Sequence, residues 1–341
     1  MSAGADSGER PRGGEAGVLS LIVPIYKSEA NLERLLPELA RLDNQFHHEF
    51  EVVFVVDGSP DNSLEILRQR AQTFLQHCQI ACLTRNFGSF NAILAGLELG
   101  RGEYFAVLAA DLQEPPHLIL EFYNALRRGD ADIVFGYRSK RSDPWVSEIT
   151  ASLFWGIYRR FVVKDIPRGG VDIFGCTRRV RDRVLSLPEF NSSLIALLFW
   201  LGFRRRYIGY ERQPRREGSS TWTIAKKLRY CLDSIFGFTD LPIRILLAIG
   251  GMGTAIAIVL GTVIVVSRFT SGVPVRGYTA LALMVLFFGS LMTLGMGIVG
   301  QYVWLNLQNV RGRPNYLIDS NTVWDSTILE REPVEVGLNA H

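Results

Sequence analysis

Three short segments concentrate groups that could do chemistry. They are Asp57-Gly58-Ser59-Pro60-Asp61, Thr84-Arg85-Asn86-Phe87-Gly88 and Asp111-Leu112-Gln113-Glu114-Pro115-Pro116. A fourth, Pro24-Ile25-Tyr26, adds an aromatic ring. Carboxylates, amides and a guanidinium of this kind hold a polar or charged ligand by hydrogen bonds and ion pairs. None of the segments carries a Ser nucleophile elbow, a GxGxxG turn or a GxxxxGK[ST] loop, so covalent acyl chemistry, dinucleotide binding and P-loop chemistry lose support. His47, His48, His77 and His117 have neither metal-ligand nor triad spacing. Cys78, Cys82, Cys176 and Cys231 show no zinc spacing and no disulfide framework. Any one segment alone is ordinary turn chemistry. Their places in the chain give them weight.

Each segment ends an apolar, β-branched run: Leu19–Tyr26, Phe50–Asp57, Ile80–Thr84 and Tyr104–Leu112, with a further run at Ala131–Tyr137. Helix-period segments separate them near Glu29–Leu42, Ser63–His77, Ser89–Leu99 and Pro116–Arg128. This alternation predicts an α/β fold, a mostly parallel sheet with helices on both faces. Such sheets bind ligands at the carboxyl ends of their strands, where the polar segments fall. Of the 341 residues, 37 are Lys or Arg and 34 are Asp or Glu, a net charge of +3. That balance argues against nucleic acid as a partner.

The C-terminal third is different. Ile245–Val266 is almost wholly apolar, and a second uncharged stretch centres on Thr279–Leu305. Each exceeds the roughly 20 residues a helix needs to cross a bilayer, and the short link with Gly272 and Pro274 predicts a two-helix transmembrane hairpin. Arg204–Arg206, Arg212, Arg215, Arg216, Lys226, Lys227, Arg229, Arg244, Arg311 and Arg313 lie on one side of it. The positive-inside rule then predicts a multi-pass membrane protein with its large N-terminal part and both termini cytoplasmic. Leu194–Phe203 and Thr223–Phe238 read as interfacial helices. The expected organisation is a disordered leader at 1–17, a catalytic domain at 18–189, juxtamembrane helices with a strand and loop at 190–240, two spans at 241–305 and a cytoplasmic tail at 306–341.

The ordered set PIY, VVDGSPDNS, TRNFGSFNAILAG and AADLQEPP resembles the family-2 glycosyltransferases of the GT-A (Rossmann-like) fold. Downstream, GGVDIFGCTRRV, REGSSTWTIAKKL, FTDLPIRI, the two spans and GQYVWLNLQNVRGRPNYLI resemble the polyprenyl-phosphate branch, which includes dolichol-phosphate mannose synthases and the bactoprenol glucosyltransferases of O-antigen modification. The resemblance covers about residues 18–318.

What the resemblance implies is an inverting, metal-dependent hexosyltransferase of the plasma (inner) membrane that moves a sugar such as glucose from a UDP-sugar to polyprenyl (undecaprenyl) phosphate in the cell envelope. Pro24, Tyr26, Asp57, Arg85, Asp111 and Gln113 are expected to bind the nucleotide-sugar. Asp111 and Gln113 are expected to hold Mg²⁺ or Mn²⁺, a hard cation suited to oxygen donors, and Asp111 and Asp172 to serve the reacting centre. Arg138, Arg215, Arg216 and Ser219 are expected to hold donor or acceptor phosphate. Relatives suggest a homotetramer. The chain departs from the family pattern at Ala109, where the first carboxylate of Asp-x-Asp-x-Gln normally stands, and at Val56, Ser28 and Phe174. Two other readings remain: a processive polysaccharide synthase, whose Gln-x-x-Arg-Trp motif is absent, and a catalytically impaired membrane scaffold or lipid-binding protein on the same fold.

Overall fold

The computed structural model describes residues 18–47, 49–139, 166–167, 171, 173–187, 193–213, scattered positions from 243 to 266, and 278–326. Strands β1 (Leu19–Ile25), β2 (Phe50–Val56), β3 (Cys78–Cys82) and β4 (Tyr104–Val107) alternate with helices α1 (Glu29–Gln45), α2 (Ser63–Phe74) and α3 (Ser89–Leu99). Then follow α4 (His117–Arg127), β5 (Ile133–Arg138), β6 (Ile173–Thr177), α5 (Arg178–Leu185), α6 (Leu194–Trp200) and β7 (Arg205–Tyr210). A long helix α7 (Tyr278–Val310) and a short strand β8 (Trp324–Asp325) complete the described chain.

The strands form one sheet in the order β7-β5-β6-β4-β1-β2-β3-β8. The pairs among β4, β1, β2 and β3 are parallel, as is β5 with β7, whereas β6 and β8 run antiparallel to their neighbours. The mostly parallel sheet expected from the sequence is therefore present. Side chains alternate across it as the pleat requires. Leu21, Val23, Phe50, Val52 and Phe54 join a core with α1, α2 and α4. Ile22, Val53, Val55 and Phe135 join a second core with α3, α5 and α6. Burial on both faces explains why β1 and β2 read as continuous apolar runs.

Two expectations are corrected. The run Tyr104–Leu112 is not one long strand: β4 stops at Val107, and the Leu112 N–H donates to the Ala109 carbonyl at 3.3 Å. The Gln113 N–H then donates to Asp111 Oδ1 at 3.3 Å. An aspartate that turns its carboxylate onto the backbone two residues later competes with strand extension. Leu112 adopts φ +52°, and the chain turns there. The second correction concerns Leu194–Phe203. Leu194 through Phe199 are all buried, and Phe199 stacks on Phe135 with centroids 4.5 Å apart. This helix docks on the sheet instead of lying in a headgroup layer; only Trp200, 64% exposed, faces out among the large side chains of α6.

Helix α7 spans 33 residues, about 50 Å at 1.5 Å per residue. Its stretch Phe287–Gln308 is, by length and composition, able to cross a membrane. Met292 and Met296 are 72% and 70% exposed. Among the described residues this is one such helix, not two. Of the first expected span only scattered positions are described; they are helical and mostly exposed. Leu246 there packs on Gly295, and Phe288 lies beside Gly253. The expected interfacial helix at Thr223–Phe238 lies outside the described residues.

Candidate active site

The carboxyl ends of β1, β2, β3 and β4 share one edge of the sheet, as parallel pairing demands. Two antiparallel steps, from β4 to β6 and from β6 to β5, bring the end of β5 to the same edge, and β7 runs with β5. Pro24, Tyr26, Asp57, Arg85, Asp111, Gln113 and Arg138 all sit there. Ile173 opens β6 at this edge. Its neighbour Asp172, with Arg215, Arg216 and Ser219, lies outside the described residues.

Asp57 is 2% exposed. Its Oδ1 accepts the Phe87 N–H at 2.7 Å and its Oδ2 the Gly88 N–H at 2.9 Å. Burial raises its pKa above the ordinary value, against the pull of those two amides and of Arg85. The carboxylate expected to face a nucleotide is thus turned onto the protein's own backbone, where it fixes the 85–88 loop. Gly58, at φ +55°, lets that loop come close: a Cβ there would lie 2.4 Å from the Arg85 carbonyl carbon and 2.5 Å from the Asn86 nitrogen. Arg85 is exposed, with its guanidinium 4.1 Å from the centre of the Phe87 ring.

The loop after β1 is built by a reciprocal device. Asp61 Oδ2 accepts the N–H of Glu29, the first residue of α1, at 3.1 Å. Glu29 Oε2 accepts the N–H of Asn62, just before α2, at 3.1 Å. Each acid satisfies an amide at the start of the other's helix. Asp61 also accepts from Ser59, whose hydroxyl accepts the Lys27 N–H at 2.7 Å. Burial works against the Asp61 charge, but these hydrogen bonds prevail and lower its pKa. Tyr26, 36% exposed, is held at the edge beside this network.

Asp111 is half-buried at the turn after β4. Gln113 is 7% exposed and fully engaged: Arg212 donates to its Oε1, Gln213 N–H donates to its carbonyl at 2.9 Å, and its amide nitrogen reaches the Gln213 carbonyl at 3.5 Å. Arg138 is half-buried at the end of β5, and the next residue, Ser139, bonds the Tyr210 carbonyl of β7 through both its N–H (2.9 Å) and its hydroxyl (3.0 Å). Arg212 had been legible only as one of many basic residues. Its contact with Gln113 spans 99 positions, and no local pattern announces a pair so distant.

The Asp111 carboxylate suits a hard divalent cation; the Gln113 Oε1 expected beside it already accepts from Arg212, so it would join a cation's shell only by sharing or giving up that bond. Among the described residues no cluster of three or more His, Cys, Asp or Glu side chains could hold a metal unaided. A cation held at this edge would need a ligand's own oxygens to complete its shell, with Asp111 as the one carboxylate of the expected pair to offer it.

Residues 20–186 match the sequence family described as Glycosyl transferase family 2. An uncharacterized glycosyltransferase of Synechocystis sp. is 32% identical, over 93% of this chain and 98% of its own length. The chain belongs to glycosyl transferase family 2. The family membership and the sheet together make this a GT-A-like α/β fold. A prophage-derived bactoprenol glucosyl transferase of Shigella flexneri is 29% identical, over 88% of this chain and 97% of that one. A prophage bactoprenol glucosyl transferase homolog of Escherichia coli is 28% identical, over 88% and 98%. The chemistry of this family-2 glycosyltransferase is transfer from a nucleotide-sugar.

Proposed function

We propose that this chain is a membrane-anchored inverting hexosyltransferase that passes glucose from UDP-glucose to the phosphate of a polyprenyl lipid at the cytoplasmic face. The observation that carries the proposal is topological. The edge that gathers Arg85, Asp111, Gln113, Arg138 and Arg212 is the edge to which the membrane-length helix delivers the chain. From Val310, the end of α7, to Leu317, whose carbonyl accepts the Thr84 N–H, is seven residues. Seven residues reach at most roughly 25 Å, so a bilayer around α7 lies close to the donor edge. The bactoprenol names of the Shigella flexneri and Escherichia coli relatives support a lipid acceptor.

In the proposed reaction an acceptor phosphate oxygen attacks the sugar's anomeric carbon. The bond from that carbon to the diphosphate breaks, and UDP leaves with the electron pair. A phosphate monoester is already anionic near pH 7, so the protein's work is positioning and charge stabilisation. Tyr26, Pro24 and the Asp57-clamped loop form the nucleotide side. Arg85 and Arg212 face the diphosphate, and Arg138, Arg215, Arg216 and Ser219 serve the phosphates. Asp172 stands near the reacting centre. Asp111 and Gln113 would hold Mg²⁺ or Mn²⁺, which when bound neutralises charge on the departing diphosphate.

A hairpin of two spans is part of the proposal. Leu246 against Gly295 and Gly253 against Phe288 support antiparallel packing: as one number rises by seven the other falls by seven. Small residues at such contacts let membrane helices approach.

The test is transfer of labelled sugar from UDP-glucose into a solvent-extractable, mild-acid-labile lipid by the purified full-length protein and polyprenyl phosphate. Label that stays with water-soluble species for every nucleotide-sugar offered defeats the proposal.

A further inference from the structure

The segment after the membrane helix is bound along the free edge of β3. The Tyr316 hydroxyl donates to Glu98 of α3 at 2.5 Å, and Ile318 bridges Leu83. The Asp319 N–H donates to the Cys82 carbonyl at 2.8 Å. Trp324 and Asp325 pair antiparallel with Ile80 and Gln79. Ser326 closes the strap, donating its N–H to the Cys78 carbonyl at 3.0 Å and accepting the Cys78 N–H on its hydroxyl at 2.9 Å. Tyr316 and Ile318 pack on one core of the sheet and Trp324 on the other, so the strap wraps the edge.

This strap begins its contacts beside the donor loop. The Thr84 N–H, donated to the Leu317 carbonyl at 3.0 Å, belongs to the residue before Arg85. On the far side Asp57 holds Phe87 and Gly88. Arg85 and Asn86 therefore lie between two clamps, one supplied by Asp57 at the end of β2 and one by residues more than 230 positions later. We infer that the C-terminal segment 316–326 is a positioning element of the donor site, which sets the place of Arg85 and ties it to the end of the membrane helix. A loop held at one end only samples more conformations, and the ligand must then meet the cost of ordering it. The inference rests on the donor reading of the Arg85 loop.

The experiment measures UDP affinity by calorimetry, and donor KM and kcat, on the full-length chain. Asp319→Pro removes the N–H that bonds Cys82; Asp319→Asn keeps it. Tyr316→Phe keeps the ring and loses the bond to Glu98. Expected are UDP binding weakened about tenfold in Asp319→Pro, near wild-type binding in Asp319→Asn, and a raised donor KM with kcat within about twofold in Tyr316→Phe. Melting without nucleotide checks folding, and Tyr316→Phe carries the test if Asp319→Pro does not fold. Wild-type UDP affinity in the folded tail variants, or equal loss in Asp319→Asn and Asp319→Pro, overturns the inference. Arg85→Ala is measured beside them. If it binds UDP weakly while the folded tail variants do not, the strap inference alone falls. If it too binds like wild type, the donor reading of the loop falls and takes the strap with it.

Discussion

Gly58 and Arg85 touch through their backbones: no room exists between them for a methyl group, which would lie 2.4 Å from the Arg85 carbonyl carbon. The ends of β2 and β3 are locked together by that absence, and the lock sets the height of the 85–88 loop. Gly58→Ala must either push the loop away or strain a left-handed backbone. We expect a loss of about 1–3 kcal/mol in stability and a donor KM raised more than kcat is lowered. Thermal melting and steady-state kinetics of the one variant check both.

Arg212 is the second test. Its exposed side chain reaches the buried Gln113, two residues after Asp111, and its guanidinium donates to Gln113 Oε1. Arg212→Ala leaves that amide oxygen without this donor and removes a cation from the proposed diphosphate side. A loss of about 10²-fold in kcat/KM is expected, in the range for removal of one charge-stabilising donor. Arg212→Lys keeps the charge and not the planar fork, and should recover part of it. Equal rates for wild type and Arg212→Ala would remove this residue from the site.

Much of this arrangement was written locally, and some was not. β1, β2 and α3 were legible because both faces of the sheet are buried and apolar runs of that length have few other uses. The carboxyl-end segments followed from the same pattern, so Tyr26, Asp57, Arg85 and Asp111 could be placed at one edge without coordinates. β4 was overextended because Ala109 and Ala110 look like strand, while the Asp111 turn depends on one side-chain hydrogen bond. α6 misled for a related reason. An apolar helix followed by Arg204, Arg205 and Arg206 suits a membrane surface, but Asp132 and Asp130 pair with Arg204 and Arg206. The role of Arg212 and the strap at Tyr316–Ser326 needed pairings across about 100 to 250 positions, where no periodicity speaks.

The Asp132–Arg204 pair gives a pH prediction. Arg204 donates from Nε to Asp132 Oδ2 at 3.0 Å, and this hydrogen bonding lowers the Asp132 pKa more than desolvation raises it. A carboxylate with a depressed folded pKa stabilises above its unfolded value of about 3.9, and that contribution disappears as pH falls through the folded value. Asp132→Asn should melt lower than wild type near pH 7. The gap should close below about pH 4 and shrink in high salt, since Arg204 is exposed. A gap that widens in acid would contradict the assignment.

In the proposed reaction Asp111 anchors a divalent cation against the donor diphosphate. The most direct measurement compares wild type and Asp111→Ala for transfer of labelled glucose from UDP-glucose to polyprenyl phosphate, across a titration of Mn²⁺. Metal-dependent formation of the lipid-linked sugar is expected for wild type, with a rate at least about 10²-fold lower for Asp111→Ala. Equal rates in the two proteins, or wild-type transfer indifferent to the metal, would contradict it.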